Sequence, residues 1–251
     1  GVCGRYALSA DPDELVEVFD ISEIAEDSGE SLALTPGQPQ ADYPQWMRPR
    51  FNIAPTQTIP VVVTRGQDHP VRKVAGMYWG LVPSWSKGPG STRRMINARV
   101  ETLDEKPVYR TALARRRCIL PASGYYEWQH PADKSVPARP FYIEPADGGL
   151  LALAGLYDFW RSPQGSWLSS CTIITTEATG EMAAIHNRRP VLLQPDAWGD
   201  WLDLSCTDSR EALGLIAPLA AGLLSAHPVS RRVNSPRTDD PGLTEPIMAG
   251  E

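Results

Sequence analysis

The chain has 251 residues, of which 42% are hydrophobic, 22% charged and 8% aromatic, and its formal net charge is −6. This length suits one large domain or two small ones, and the composition is ordinary for a soluble globular protein. No stretch approaches the roughly 18 consecutive apolar residues of a membrane span. No basic segment followed by an apolar one begins the chain, so we expect no secretory signal and a cytoplasmic protein.

In the first half of the chain the residues predict a helix over 12–26, a loop over 28–50, strands over 60–64 and 71–79, a loop over 86–92 and a helix over 107–116. Strands then follow on either side of a break at 123–124, and over 140–144, 150–157 and 168–176. The last predicted elements are a short helix over 178–186, helices that begin at 195 and 208 and end near 222, and a loop-like tail. Asp11, Pro12 and Glu14 form the capping box that predicts the first helix. The elements alternate without a regular strand–helix–strand repeat, and no change of composition indicates a linker. We therefore predict a single α+β domain with a mainly antiparallel sheet.

Charge and cysteine patterns restrict the chemistry. Residues 11–30 hold nine acidic and no basic residues, whereas 91–117 hold eight basic and three acidic ones. Arginine is suited to phosphate and base contacts, although an exposed arginine-rich surface is the simpler interpretation of composition alone.

Cys118, Cys171 and Cys206 are far from one another and from Cys3, which argues against a disulfide framework and a structural zinc site. We expect neither a metal nor a cofactor.

Cys3 stands close to the chain end. A cysteine that is itself the first residue carries an amine and a thiol on adjacent carbons. The amine can form an imine with an aldehyde, and the sulfur can then close a five-membered thiazolidine ring. An internal cysteine lacks the reactive amine. From position alone, however, a buried or incidental cysteine is the simpler interpretation.

Other candidates are weak when taken singly. Glu127 lies between aromatic residues in "GYYEW", where apolar surroundings raise a carboxyl pKa, although an exposed strand carboxylate is commoner. His186 could be an acid–base group or a structural residue. Asn97 and Arg99 share one face of "INARVET" if that segment is extended, and suit phosphate or sugar recognition or a hydrogen-bonded loop. The tryptophans of "YWGLVPSW" could stack on bases or belong to the core.

Together and in order, these segments resemble the SOS response-associated peptidase (SRAP) family over almost the whole chain. The matching segments are Cys3-Gly4-Arg5-Tyr6, "FNIAPTQ" (51–57), "YWGLVPSW" (78–85), "INARVET" (96–102), "RRRCILPASGYYEW" (115–128), "TTEA" (175–178), "IHNRRPVLL" (185–193) and "VSRRVNSPR" (229–237). The resemblance implies one α+β SRAP domain over residues 1–251, with a mainly antiparallel, barrel-like β core, flanking short helices, a basic groove and a tail over 238–251.

The function implied by the resemblance is a sensor of abasic sites in single-stranded DNA. The N-terminal cysteine would trap the ring-opened sugar aldehyde as a thiazolidine DNA–protein crosslink, a lyase-like activity that shields the lesion. The implied catalytic residues are Cys3, Glu127, His186 and Asn97. Glu127 would handle the proton of the amine or imine, and His186 that of the sugar O4′ in ring opening and crosslink reversal.

The same resemblance implies a set of DNA-binding residues, namely Arg5, Arg99, Asn52, Pro55, Trp79, Trp85, Thr176 and Arg188. Arg5, Arg99 and Asn97 would hold phosphates, and the tryptophans would meet bases. Arg189 stands where the family is expected to have methionine. We expect a monomer that binds no membrane and is associated with the nucleoid when it is bound to DNA.

Two other interpretations stay open. Cys3 and His186 could form the nucleophile–base pair of a thiol peptidase that acts on its own chain, or the protein could bind DNA without covalent chemistry. Because Gly1 and Val2 precede Cys3, the nitrogen of Cys3 is an amide in the printed sequence. We expect these two residues to be a leader that is removed or an addition from cloning, and we expect ring formation only once Cys3 is the first residue.

Overall fold

A computed structural model describes residues 3–25, 31–40, 42–91 and 95–248. The strands in this part of the chain are β1 (Tyr6–Leu8), β2 (Glu23–Ala25), β3 (Ser31–Ala33), β4 (Arg50–Ile53), β5 (Thr58–Arg65), β6 (Val71–Trp79), β7 (Asn97–Arg99), β8 (Arg117–Ala122), β9 (Gly124–Gln129), β10 (Arg139–Pro145), β11 (Leu151–Arg161), β12 (Trp167–Glu177), β13 (Arg188–Pro190) and β14 (Leu224–Pro228). The α-helices there are α1 (Pro12–Val18), α2 (Pro107–Arg115), α3 (Pro195–Trp201) and α4 (Ser209–Gly214). No helix within these ranges is long and apolar enough to span a membrane.

Five strands close into a barrel in the order β6-β5-β8-β11-β12. Most neighbours in the ring are antiparallel, and the parallel pairing of β12 with β6, in which Cys171 lies opposite Trp79, closes it. Buried aliphatic side chains such as Val62, Ile119 and Ile173 fill the core around the ring. The predicted α+β class with a mainly antiparallel, barrel-like core is confirmed.

A second sheet, in the order β14-β10-β9-β1-β4, packs against the barrel. In β1 and β9 the facing residues Tyr6 and Tyr125 belong to the main core, whereas Ala7 and Tyr126 face a smaller one. This division follows from the alternation of side chains along a strand. The segment predicted as a tail covers the smaller core, where Leu243 is fully buried.

The structure agrees with most of the predicted strands and adds β1 and β4, which were not predicted; three further differences concern helix ends and a loop. The first helix ends at Val18 rather than near residue 26, because β2 follows and pairs in parallel with β6. The predicted loop over 28–50 contains β3, which pairs with β2. The helix predicted to end near residue 222 ends at Gly214, and the strand β14 beyond it was not predicted. The pairing of β2 with β6 and that of β14 with β10 join segments distant in the chain, which local residue patterns do not reveal.

Gly155 in β11 provides a test of the barrel packing. A Cβ atom at this position would lie 2.5 Å from Leu120 Cδ1 and 2.8 Å from the carbonyl oxygen of Thr172. We therefore expect Gly155→Ala to lower the free energy of unfolding by about 1–3 kcal/mol in urea denaturation. Gly199 in α3 is the matched control, because no atom lies within 4 Å of a Cβ there. Gly199→Ala should raise the same free energy by about 0.5–1 kcal/mol, and equal effects of the two substitutions would contradict this packing.

Candidate functional site

Cys3 and Glu127 are in direct contact. The antiparallel pairing of β1 with β9 brings the residues before Tyr6 alongside the second half of β9. The backbone N–H of Cys3 donates to Glu127 Oε2 at 3.1 Å, and the two residues are 0% and 2% exposed. Cys3 has a φ of 41°, in the left-handed region that a side chain other than glycine's adopts at a cost of about 1 kcal/mol or more. The backbone is thus strained at the residue whose nitrogen donates to the Glu127 carboxylate.

Burial changes the proton affinity of both groups. It raises the pKa of Glu127 to about 7, against the opposing effect of the N–H groups of Cys3 and Trp128. It also raises the pKa of the Cys3 thiol well above its ordinary value, and the nearby charge of Glu127 acts in the same direction. The thiol is therefore neutral near pH 7, and Glu127 can both accept and release a proton there.

His186 follows a short 3₁₀ helix, Gly180–Ala184, which is tied to β9. Gln129 Nε2 donates to the carbonyl oxygen of Ala184 at 2.8 Å, and Gln129 lies two residues beyond Glu127 on the same face of the strand. The backbone N–H of Arg188 donates to His186 Nδ1 at 3.1 Å. Burial lowers the pKa of His186, so its imidazole is neutral near pH 7.

Asn97 and Arg99 lie in β7, which confirms that the segment is extended and that they share one face. The strand runs parallel to β12, with Asn97 opposite Ile173 and Arg99 opposite Thr175. Asn97 is half-buried and its Nδ2 donates to the carbonyl oxygen of Ile96 at 3.0 Å. Arg99 is exposed.

A groove of about 760 Å³ begins beside Cys3. Its lining residues come from the segment before β1, the turn after β4, the segment before β7, the end of β9 and the C-terminal region. They are Gly4, Arg5, Ala54, Pro55, Thr56, Gln57, Ile96, Trp128, Asn234, Pro236 and Arg237. The predicted residues Arg5 and Pro55 are among them. Trp128 and Arg237 were not singled out in the sequence, although both lie within the quoted motifs.

Asn52 holds Arg5 at the edge of this groove. Asn52 Oδ1 accepts from Arg5 Nη1 at 3.0 Å, and Asn52 Nδ2 donates to the carbonyl oxygen of Thr238 at 2.7 Å. The guanidinium of Arg5 lies 5.7 Å from the centre of the Trp128 ring. Asn52 is itself buried, with its amide bound within the protein. Asn52 thus acts on Arg5 within the protein, and its contact with DNA stays a prediction.

Two further residues that are predicted to contact DNA are also buried. Trp79 is fully buried, its Nε1 donates to the carbonyl oxygen of Ile96 at 3.1 Å, and it packs edge-on against Tyr6. Arg188 is 7% exposed and its guanidinium is occupied by Glu101. By contrast, Trp85 is 71% exposed, and Thr176 is half-buried in β12.

The core beside Cys3 contains polar atoms that the sequence interpretation missed. The hydroxyls of Tyr6 and Tyr125 and the Nε of Arg189 are buried without a hydrogen-bond partner among the described residues. Tyr125 lies on the same face of β9 as Glu127, which the alternation within "GYYEW" could have indicated. Arg189 is buried, and its Nη1 donates to the carbonyl oxygen of Pro190 at 3.0 Å.

The site thus combines a buried cysteine–glutamate contact, a neutral histidine and an arginine-edged groove on an α+β barrel. A sequence profile of the SOS response associated peptidase (SRAP) family matches residues 2–236. The chain belongs to this family.

The relatives and solved structures agree with this assignment. The chain is 36% identical over 245 residues to the abasic site processing protein YoqW of Bacillus subtilis, covering 97% of this chain and 99% of the relative. It is 35% identical over 246 residues to the chicken abasic site processing protein HMCES, covering 85% and 72% of the two chains. A crystal structure of a protein from Bacteroides thetaiotaomicron has the same fold, with a TM-score of 0.79 at 23% identity over 98% of this chain and all of that one.

The raised pKa of Glu127 has a consequence for stability. The carboxyl has a pKa of about 7 in the folded protein and near 4.5 ordinarily. Its stabilising contribution to the folded state is therefore fully present below about pH 4.5 and is lost as the pH rises through 7. We expect wild-type stability, relative to that of Glu127→Gln, to fall by about 3 kcal/mol between about pH 4 and about pH 8 in denaturant titrations. Glu105→Gln, at an exposed position, should show no such trend. A difference between wild type and Glu127→Gln that does not change with pH would rule out the shifted carboxyl.

Proposed function

We propose that this chain processes abasic sites in single-stranded DNA by trapping the ring-opened sugar on Cys3. The names of the family relatives support abasic-site processing as the activity. One contact supports the covalent step, namely the 3.1 Å hydrogen bond between the nitrogen of Cys3 and Glu127 Oε2. A carboxylate that is hydrogen-bonded to this nitrogen can exchange a proton with it. Only in a cysteine that begins the chain is this nitrogen an amine.

The reaction follows from these two residues once Cys3 is the first residue. An α-amine ordinarily has a pKa of about 7.7–8.0, so Glu127, with a pKa of about 7, can take the proton of its ammonium form. The amine attacks the aldehyde carbon C1′ and water leaves as the imine forms. Cys3 Sγ then adds to the imine carbon, its proton passes to the nitrogen, and the thiazolidine ring closes.

His186 and the arginines have complementary proposed roles. Because His186 Nδ1 accepts a hydrogen bond, the neutral ring carries its proton on Nε2, which can be given to the sugar O4′ as the ring opens and taken back on reversal. Arg5 and Arg99, with Asn97, would hold the phosphates on either side of the lesion. The exposed Trp85 offers a surface on which a base can stack.

Pro55 and Thr176 complete the proposed DNA-binding set. Pro55 lines the groove beside Arg5, and Thr176 is half-buried opposite Arg189 in the β12–β13 pair. Neither side chain is charged, so both would contribute through contact with sugar and base rather than through phosphate binding.

A self-cleaving peptidase is the second candidate. Its support is the same contact, since the nitrogen beside Glu127 is the one that must gain a proton when the Val2–Cys3 bond breaks. The pairing of Cys3 with His186 as nucleophile and base has less support, because the hydrogen bonds of the described residues join Cys3 to Glu127 and not to His186. Self-cleavage would expose the amine that the crosslink requires, so the two activities are compatible in sequence.

A crosslinking assay tests the proposal. Protein that begins at Cys3 is mixed with a single-stranded oligonucleotide carrying one abasic site, denatured in SDS and examined for a shifted band. We expect the band for this protein, none for protein whose mass shows that it still retains Gly1 and Val2, and none for Cys3→Ala. Glu127→Gln should slow crosslinking by about 10²–10⁴-fold, since it removes the proton acceptor. Cys206→Ser is the matched control, because Cys206 is a partly exposed thiol far along the chain, and it should crosslink normally.

Each alternative gives a different outcome. Absence of a band with protein of confirmed mass beginning at Cys3 would refute covalent trapping. Cleavage of unrelated peptides that disappears in Cys3→Ala would favour a peptidase. DNA binding that is equal in wild type and Cys3→Ala, without a band in either, would leave a noncovalent binding module.

A further inference from the structure

Arg188 is held from two sides by groups that the catalytic proposal does not use. Its Nη1 and Nη2 donate to Glu101 Oε1 and Oε2 at 2.7 and 3.0 Å, a two-pronged pair. Nη2 also donates to the carbonyl oxygen of Thr175 at 3.0 Å. The guanidinium therefore joins β13 to β12 and to the 3₁₀ turn Val100–Thr102, which directly follows β7.

The backbone of the same residue controls the ring of His186. The Arg188 N–H donates to His186 Nδ1 at 3.1 Å, so Nδ1 is unprotonated and the proton of the neutral ring resides on Nε2. A histidine that exchanges protons with a substrate must present the right nitrogen, and the hydrogen bond at the other nitrogen determines which one that is. The position of the Arg188 backbone thus decides which tautomer faces the site.

We propose that Glu101 is a positioning residue, which fixes the Arg188 side chain and thereby holds His186 with its proton on Nε2. The reaction that this serves rests on the function proposed above, whereas the contacts themselves do not. Glu101 is suited to the role because its carboxylate, although 43% exposed, forms a two-pronged pair with a guanidinium that is only 7% exposed, and its loss removes the charged partner of that guanidinium.

The charges around His186 give the expected direction of a pH effect. Burial lowers the pKa of His186 most and the hydrogen bond from the Arg188 backbone N–H raises it, while among the described residues the nearby His130 and Arg188 lower it by smaller amounts. Glu101 offsets the Arg188 charge, and its own pKa is lowered by the hydrogen bond from Arg188. Removal of the negative charge at residue 101 should therefore lower the pKa of His186 further.

Nitrogen NMR of histidine-labelled protein reads the tautomer without any need for DNA. The chain has four histidines, and the His186 signal is identified by its loss in His186→Asn. We expect the Nε2–H form in wild type, and in Glu101→Gln a mixture of tautomers with a lower titration midpoint. Crosslinking by Glu101→Gln should be slowed about tenfold, with its pH profile displaced in the same direction. Glu105→Gln, on the same segment and exposed, is the matched control and should resemble wild type in both readouts.

Two conservative variants keep the test decisive. Glu101→Asp should restore part of both readouts. Arg188→Lys, which retains both charges and the backbone N–H but loses the two-pronged pair, should reproduce the mixture of tautomers without the lower midpoint. An unchanged His186 tautomer and midpoint in folded Glu101→Gln would overturn the proposal. If wild type itself formed no crosslink, the proposed function would fail while the NMR result would still decide the role of Glu101.

Discussion

The hydrogen bond between the Cys3 nitrogen and the Glu127 carboxylate is the interaction on which the site depends. Both partners are buried, and burial brings the pKa of Glu127 to about 7, close to that of an α-amine. The same burial keeps the Cys3 thiol protonated, so in the proposed reaction, once Cys3 is the first residue, the nitrogen acts as the first nucleophile and the sulfur as the second. This order, nitrogen first and sulfur second, is the one that thiazolidine formation requires and that a simple thiol peptidase does not.

The fold maintains this contact through pairings between distant segments. The β1–β9 pair places Cys3 beside Glu127, and the closed barrel carries β7 and β13 on β12, from which Asn97 and Arg188 project. The edges of the groove come from other parts of the chain, and Asn52 links them through Arg5 and the C-terminal segment. A site assembled from so many elements is rigid only if the domain folds as one unit, which the shared hydrophobic core accomplishes.

The sequence predicted the fold class and several elements better than the arrangement of the candidate site residues. The local signals for α1, β8 and β9 were strong, and the motifs identified Cys3, Glu127 and His186 as the residues of interest. Motifs do not show how deeply a residue is buried, so the burial of Asn52, Trp79 and Arg188, which are all predicted to contact DNA, could not be foreseen. Contacts between distant segments produce the parallel pairing that closes the barrel and the ion pair between Glu101 and Arg188, and no local pattern specifies them.

Tandem mass spectrometry of the crosslinked peptide tests the central claim most directly. For protein beginning at Cys3, trapped on an abasic oligonucleotide and digested, the account requires the sugar on the first residue, attached through both nitrogen and sulfur. The adduct should then survive without borohydride reduction, and the Cys3 thiol within it should resist alkylation. An adduct on a lysine, or one at Cys3 that persists only after reduction and leaves a free thiol, would contradict the account.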